Sequence, residues 1–323
     1  MKYPDHLHIS QVPTPIINPH HFFSQFSLYK FWIKRDDLNG LELSGNKLRK
    51  LEFLLQDAYD QGAEHIITCG GMQSNHCRTT AFLAAQAALK TTLVLRGKET
   101  EYPTGNYFLN RLAGAEIYFV NEEEYKNVDM VMAQIAETAI EKCYIIPEGG
   151  SNETGVWGYI KCYEEIMQQS KSMGQYFDTI VVATGSGGTH AGLLLGKILT
   201  GGTTEVLSVN VCNDALYFQN KISDIIDKFA SKYEKKLSWS ADDIHIVDGF
   251  TGEGYGKIGN REKRLIRDFA RQEGLLIDPV YGAKAMLGLL HLAEKGRLPG
   301  RNILFIHTGG VFGLFPYASM LLA

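Results

Sequence analysis

The sequence predicts an α/β fold in which mostly parallel strands are joined by helical crossovers. Short apolar runs alternate with helical patterns, as where the strand-like run 65–69 precedes an alanine-rich helical stretch and the strand-like run 92–95. The most apolar run, 179–183, has the composition of a strand buried on both faces. Glycine-rich turns follow several of these runs. This alternation indicates parallel sheets, because parallel strands need a crossover connection.

The elements of the first half follow one another at short intervals. The predicted strands span 31–35, 65–69, 92–95, 116–120 and 144–146. The predicted helices begin near Lys47, pass through residues 81–88, lie near 107–112 and run from about 129 to 141. Glycines and Asn152 then interrupt the chain at 149–152.

The second half predicts a second sheet with the run 179–183 near its centre. Its strands are expected at 179–183, 206–211, 244–247 and 302–307. A helix is expected through 191–198, and two more flank the segment 278–281. Glycines in 252–259 predict a flexible loop.

Composition excludes several classes of function. The chain has 323 residues, of which 45% are apolar and 21% charged, as in soluble globular proteins with one large or two ordinary domains. A net charge of −4 argues against a nucleic-acid partner. We find no apolar run long enough to span a membrane and no signal-peptide core in 1–10, so we expect a cytoplasmic protein.

The five cysteines form no closely spaced pair. An odd number of unpaired cysteines favours free thiols in a reducing compartment over disulfides or a zinc site. No metal centre is predicted.

Lys47 is the first candidate for chemistry. It follows a loop and precedes leucines at helical spacing, so it lies at the start of a helix that Ser44 or Asn46 could cap. A cation is disfavoured at this positive end of the helix dipole, and burial would lower the pKa of the amine further. A neutral lysine amine is what a Schiff base with an aldehyde cofactor needs. The structural alternative is an ordinary solvated lysine.

The strongest physical signal is the glycine-rich loop that follows the run 179–183. Small residues between a buried strand and a helix let backbone N–H groups approach an anion. The loop matches neither a Walker loop nor a dinucleotide fingerprint, so it favours a small phosphate-bearing cofactor. An ordinary strand–helix turn is the structural alternative. Its residues are Thr184, Gly185, Ser186, Gly187, Gly188 and Thr189.

A second polar turn, 71–76, lies between a predicted strand and a predicted helix. Its backbone amides and the side chains of Ser74, Asn75 and His76 could hold a carboxylate. Alternatively, Ser74 or Asn75 simply caps the helix. Tyr255 and Tyr281 lie in loops, where packing alone could explain them.

Segments between Pro13 and Phe315 together resemble one known family. The matching segments are 33–37 (IKRDD), 45–52 (GNKLRKLE), 73–76 (QSNH), 149–152 (GGSN), 187–193 (GGTHAGL), 254–256 (GYG), 278–281 (DPVY) and 307–310 (HTGG). They resemble the D-cysteine desulfhydrase and 1-aminocyclopropane-1-carboxylate (ACC) deaminase family. Its members are pyridoxal-phosphate (PLP) enzymes of the tryptophan-synthase β-subunit fold, PLP fold type II.

The resemblance implies how the cofactor is held. Lys47 would be the Schiff-base lysine, and the loop 184–189 would bind the cofactor phosphate. Asn75 would lie against the ring hydroxyl, and Thr308 against the pyridine nitrogen.

The resemblance also implies how a small amino-acid substrate is held. Ser74 and His76 would lie near its carboxylate together with Asn75. Tyr255 and Tyr281 would lie beside the substrate as further catalytic residues.

The same resemblance implies two three-layer α/β/α domains and a homodimer. The large PLP-binding domain would comprise 1–48 and 158–323, and the smaller inserted domain 49–157.

Two positions bear on the branch of the family. Gly282 follows Tyr281 where the deaminase branch has a glutamate, and Thr308 stands where that branch has a leucine. We therefore expect elimination of sulfide from D-cysteine. ACC ring opening and cysteate sulfo-lyase activity are the alternatives within the family.

Two alternatives come from other classes. A binding or regulatory protein could keep the fold and lose catalysis, although the presence of Lys47 disfavours this. A nucleotide-dependent dehydrogenase could use the glycine-rich loop instead.

Overall fold

The structure, a computed structural model, describes residues 1–322. Within them, the strands are β1 (Ile16–Ile17), β2 (Lys30–Arg35), β3 (His65–Gly71), β4 (Lys90–Arg96), β5 (Glu116–Val120), β6 (Cys143–Ile145), β7 (Thr179–Thr184), β8 (Glu205–Asn210), β9 (His245–Val247) and β10 (Asn302–His307).

The α-helices of the same residues connect these strands. They are α1 (Asn46–Asp60), α2 (Asn75–Gln86), α3 (Gly105–Leu112), α4 (Glu122–Tyr125), α5 (Val128–Thr138), α6 (Trp157–Met173), α7 (Gly188–Thr200), α8 (Ala215–Lys232), α9 (Asn260–Glu273), α10 (Gly282–Glu294) and α11 (Ala318–Leu322). Short 3₁₀ segments include Glu148–Gly150 and Val311–Tyr317.

The strands form two sheets. The larger has the order β1-β2-β10-β7-β8-β9, and the smaller has the order β5-β4-β3-β6. The described strand pairs are parallel except β1 with β2. The register places Val181 of β7 beside Leu207 of β8 and Phe305 of β10. The predicted α/β fold with mostly parallel sheets is confirmed.

Helices cover both faces of each sheet. Successive strand residues point to opposite sides, so each face carries apolar side chains that helices bury. In β7, Val181 packs in one core cluster with residues of α10, whereas Ile180 and Val182 pack in another with residues of α6 and α7. In β4, Val94 packs toward α5, and Leu93 and Leu95 pack toward α2 and α3. These are three-layer arrangements.

Three elements differ from the sequence expectations. The two-residue strand β1 was not predicted, since so short a run carries no periodic signal. The helix expected from about 129 to 141 is α5, which ends at Thr138, and the separate short helix α4 was not predicted, although Asn121 begins it with a capping box. Helix α8 was also missed, although Asp214 caps it and its buried face carries Phe218 and Ile222.

A buried ionic network fixes helix α1 to the larger sheet. The guanidinium of Arg49 donates to Asp36 at 2.8 Å and to Glu165 at 2.9 Å. Burial would raise the pKa of Asp36, but the charge of Arg49 holds it below its usual value. The network anchors the helix that carries Lys47, two residues before Arg49.

Membrane insertion of a helix is not indicated in the part of the chain that the structure describes. Within residues 1–322, none of the helices has the length and apolar character needed to cross a bilayer.

Candidate active site

The carboxyl ends of parallel strands meet at one edge of a sheet, where α/β proteins bind their ligands. At this edge, β2 leads toward the Lys47 helix, β7 leads into the loop 184–189, and β10 ends immediately before Thr308. In the smaller sheet, β3 leads to Ser74 and α2. The topology thus brings together segments that are far apart in sequence.

The N-terminus of α1 is fixed by backbone contacts. The helix begins at Asn46, and its N-cap is Gly45 at φ 114°, with no side-chain cap. The side chain of Asn39 accepts from the Gly45 N–H at 2.8 Å and donates to its carbonyl at 3.0 Å. The expectation that Ser44 or Asn46 caps the helix is wrong. A Cβ at position 45 would lie 2.6 Å from the Thr308 carbonyl oxygen, so this close approach requires glycine.

Lys47 is the second residue of this helix, and its side chain is 9% exposed. Its amine donates to the carbonyl of Gly149 at 3.4 Å. Burial lowers the pKa of the amine to about 8, while the carboxylate of Glu148 opposes this shift. At pH 7 about a tenth of the amine is therefore neutral, far more than for an ordinary lysine, and the neutral amine is the form that attacks an aldehyde.

The loop after β7 is built to receive an anion. The hydroxyl of Thr184 is buried and has no hydrogen-bond partner among the described residues. Helix α7 begins after Gly187, at φ 84°, without a side-chain cap. The N–H of Gly188 donates to Ser151 at 3.2 Å. The unpartnered hydroxyl of Thr184 and the start of α7, which has no side-chain cap, thus lie in the same loop and offer donors to an anion.

Most of the residues predicted to bind the cofactor line one cavity. The residues lining it are Asn46, Lys47, Asn75, Ala183, Thr184, Gly185, Ser186, Gly187, Thr189, Tyr281 and Thr308. Gly188, Ser74, His76 and Tyr255 belong to adjoining segments and do not line it.

Three of the predicted site residues, Ser74, Asn75 and His76, lie at the start of α2. Ser74 is the N-cap of α2 and accepts from the Cys77 N–H at 3.2 Å, so it does serve as a helix cap. Asn75 accepts from the side chain of Asn106 at 2.8 Å. His76 contacts Thr68 at 2.9 Å through Nε2 and is buried. Burial lowers the pKa of His76 well below its usual value, so the ring is neutral.

Tyr255 and Tyr281 are brought into direct contact. Their hydroxyl oxygens are 2.6 Å apart, and the two rings meet edge to face. Burial raises the pKa of both phenols, so both hydroxyls are protonated at neutral pH and can donate hydrogen bonds.

Sequence reasoning missed a second buried lysine at the site. The amine of Lys50 donates to the carbonyl of Gly149 at 3.2 Å and to Ser151 at 3.1 Å. Burial and the charge of Lys47 lower its pKa well below the usual value. The i, i+3 spacing of Lys47 and Lys50 on α1 was the available signal. Glu148 was missed as well.

Residues 1–322 contain no candidate metal site. No group of three or more His, Cys, Asp or Glu side chains there is arranged to hold a metal ion, and the five cysteines are free.

Comparison with known proteins identifies the family. The model of a family described as "Pyridoxal-phosphate dependent enzyme" matches residues 9–309. The chain belongs to this family. The cofactor is therefore PLP, and the predicted tryptophan-synthase β-subunit type of fold is confirmed.

Similar proteins carry two kinds of name. The chain is 39% identical to "Bifunctional D-cysteine desulfhydrase/1-aminocyclopropane-1-carboxylate deaminase, mitochondrial" of Arabidopsis thaliana, over 95% of this chain and 78% of that protein. It is 38% identical to a D-cysteine desulfhydrase of Serratia proteamaculans, over 89% of this chain and 88% of that protein. The predicted family is confirmed, and this chain is a PLP-dependent lyase.

A solved structure agrees with this assignment. The crystal structure of an ACC deaminase homologue superposes with a TM-score of 0.89 at 36% identity, covering 98% of this chain and 95% of that one.

The cavity fits PLP on its own chemistry. Thr184 supplies an unpartnered buried hydroxyl beside an uncapped helix N-terminus, as a phosphate requires. Lys47 supplies a buried amine of lowered pKa, as an aldehyde requires. The two groups line the same cavity.

Proposed function

We propose that this PLP-dependent lyase eliminates sulfide from D-cysteine, producing pyruvate, hydrogen sulfide and ammonia. The observation that supports this choice is the chemistry of the cavity. Among the described residues that line it, none is a carboxylate, and Thr308 offers a neutral hydroxyl. A neutral partner does not enforce a protonated pyridine nitrogen, so the electron sink is moderate. Thiolate is a good leaving group and needs less electron withdrawal than ring opening does.

Lys47 is the proposed covalent partner and base. When bound, PLP links to an amine and disperses negative charge from the substrate Cα. The lowered pKa of Lys47 leaves the amine able to accept the Cα proton once the substrate amine has replaced it. The carbonyl of Gly149, 3.4 Å away, orients the amine.

We propose that the N-terminus of α2 binds the substrate carboxylate. Ser74 and Asn75 begin this helix, where N–H groups and the helix dipole attract an anion. The neutral ring of His76 is buried next in this helix and is held by its contact with Thr68. Asn75 also lines the cavity, so it can contact both cofactor and substrate.

The tyrosine pair is proposed to assist the leaving group. Because one hydroxyl donates to the other at 2.6 Å, one proton of the pair stays free for a further hydrogen bond. A protonated phenol beside the substrate can donate to departing sulfur. Tyr281 lines the cavity, and Tyr255 contacts it through the two hydroxyls.

We also propose the domain division and the assembly that the sequence implies. Strands β3 to β6, which form the smaller sheet, all lie within 49–157, and this supports a small domain there and a large domain of 1–48 and 158–323. The homodimer and the cytoplasmic location stay predictions. Sedimentation of the purified protein measures the first.

ACC ring opening is the second candidate function. It is favoured by the name of the Arabidopsis relative, which combines both activities. The same lysine, helix N-terminus and tyrosine pair would serve it. Release of sulfite from cysteate is a third alternative within the family.

The test is a comparison of substrates on one preparation. D-cysteine, L-cysteine, D-cysteate and ACC are supplied at equal concentrations, and sulfide, pyruvate, sulfite and 2-oxobutanoate are measured. We expect sulfide and pyruvate in equal amounts from D-cysteine and little 2-oxobutanoate from ACC. Ring opening faster than D-cysteine breakdown would overturn the proposal.

A further inference from the structure

Three side chains outside the cavity lining form a charged cluster, here called the Glu148 cluster: Arg96, Tyr125 and Glu148. The Tyr125 hydroxyl donates to the Glu148 carboxylate at 2.7 Å. The guanidinium of Arg96 lies 4.8 Å from the centre of the Tyr125 ring and 5.1 Å from the centre of the Tyr255 ring. The cluster therefore adjoins the tyrosine pair on the side of the smaller sheet.

The cluster also adjoins Lys47. Glu148 immediately precedes Gly149, whose carbonyl accepts from the Lys47 amine at 3.4 Å. A Cβ at Gly149 would lie 3.0 Å from that amine, so the turn 148–150 is pressed against it. Burial lowers the pKa of Lys47, and the Glu148 charge partly offsets this. Burial raises the pKa of Tyr255 and Tyr281, and the same charge raises it further.

We propose that Glu148 determines specificity by excluding amino acids that carry an anionic group on Cβ. This inference rests on the proposed function, since it concerns the substrate of that same site. The site would then accept a Cβ substituent that is neutral or cationic, such as a thiol, and reject a sulfonate or a carboxylate.

The exclusion would arise from electrostatic repulsion between the Glu148 carboxylate and a second anionic group on the substrate. The substrate carboxylate is assigned to the α2 N-terminus, so a second anionic group would extend between Lys47 and the tyrosine pair, toward Glu148. Among residues 1–322, Glu148 forms no ion pair: its carboxylate accepts from Tyr125, and the guanidinium of Arg96 lies against the Tyr125 and Tyr255 rings instead. Repulsion against a misplaced group is a common means of specificity. Like charges in a partly buried site weaken binding by about 10-fold or more.

Binding of unreactive ligands tests the inference without relying on turnover. Asparagine and aspartate have nearly the same shape and differ in charge on the Cβ substituent. Both enantiomers of each are titrated into the holoenzyme, and binding is followed by the change in cofactor absorbance. We expect the wild-type protein to bind one enantiomer of asparagine at least about 10-fold more tightly than the matching aspartate.

Three variants make the comparison specific. Glu148→Gln removes the charge and keeps a hydrogen-bond acceptor for Tyr125, so the preference for asparagine should fall by about 10-fold. Glu122→Gln removes an equal charge from an exposed partner of Arg96 and should leave the preference unchanged. Tyr125→Phe keeps the Glu148 charge and should also preserve it.

The outcomes separate this inference from the proposed function. An unchanged preference in Glu148→Gln would overturn it, as would an equal change in Glu122→Gln. If Glu148→Gln does not fold, equal binding of asparagine and aspartate by wild type and Tyr125→Phe would overturn it as well. Absence of any response to all four ligands would likewise contradict a Cβ subsite. If the wild-type protein prefers asparagine to aspartate but releases no sulfide from D-cysteine, the proposed function alone is overturned.

Discussion

The side-chain amine of Lys47 lies 3.4 Å from the carbonyl oxygen of Gly149. This contact joins the helix that follows β2 to the turn that follows β6, and therefore joins segments of the two sheets. The same carbonyl accepts from Lys50 at 3.2 Å, so a single backbone oxygen orients two buried amines. Proper placement of the proposed catalytic amine thus depends on a turn about one hundred residues away, which only the folded chain supplies.

The pH dependence of cofactor uptake should follow the lowered pKa of Lys47. Only the neutral amine attacks the aldehyde, so uptake by cofactor-free protein should accelerate as pH rises and level off above about 8. Stopped-flow absorbance measures the midpoint. Glu148→Gln should move the midpoint to lower pH, since the carboxylate raises the pKa of the amine. A midpoint near the ordinary lysine value would contradict the buried environment described for Lys47.

Gly187→Asp should weaken PLP binding by about 100-fold, because it adds negative charge to the loop that lines the cavity, and its Cβ would also meet Ile222 at 3.2 Å. Equilibrium dialysis of the cofactor measures the effect. Gly201→Asp is the matched control, since Gly201 also has a positive φ and lies at the other end of α7, with open space around its Cβ. Equal cofactor affinity in the two variants would show that the loop is a structural turn only.

Ser74→Ala should lower turnover by about 10- to 100-fold while the cofactor stays bound, because a hydrogen bond to the substrate carboxylate is lost. The variant also loses a helix cap, which costs about 1 kcal/mol of stability. Asp214→Ala removes the cap of α8, where the Asp214 side chain accepts from the Tyr217 N–H, and controls for that loss. Kinetics at matched folded fractions distinguish the two effects. Loss of cofactor in Ser74→Ala would assign the hydroxyl to cofactor binding instead.

Two adjacent aspartates should differ sharply in their contribution to stability. Asp36 is fully buried and paired with Arg49, so Asp36→Asn should destabilise the protein by about 3–5 kcal/mol through an uncompensated buried charge. Asp37 pairs with Arg35 where both side chains are partly solvated, so Asp37→Asn should cost about 0–1 kcal/mol. Denaturant unfolding of both variants measures the difference. Similar midpoints would mean that the network does not anchor α1.

Local sequence patterns predicted those features that depend on residues close together in the chain. A buried apolar strand followed by small residues predicted the loop 184–189, and the loop-to-helix pattern around Lys47 predicted its position at the start of α1. Both depend on local chain properties, namely strand burial and helix geometry. The alternation of strands and helices predicted parallel sheets for the same reason.

Other features depend on contacts between distant segments, which local patterns do not encode. Gly45, rather than Ser44 or Asn46, caps α1 because the Asn39 side chain and the Thr308 carbonyl are already in place. His76 contacts Thr68 only because β3 and α2 pack together. Glu148 gave no signal in the sequence, since its partner Tyr125 lies 23 residues away.

Covalent mapping of the cofactor tests the central claim, that the amine of Lys47 is the one that carries PLP. The holoenzyme is reduced with borohydride, digested, and analysed by mass spectrometry for the added cofactor mass. Lys50 is the most informative competitor, because it is buried and shares the Gly149 carbonyl with Lys47. Lys47→Ala should remain folded and retain no covalently linked cofactor. We predict that the added mass lies on Lys47 in the wild-type protein; its presence on Lys50 or Lys34 instead would contradict the account.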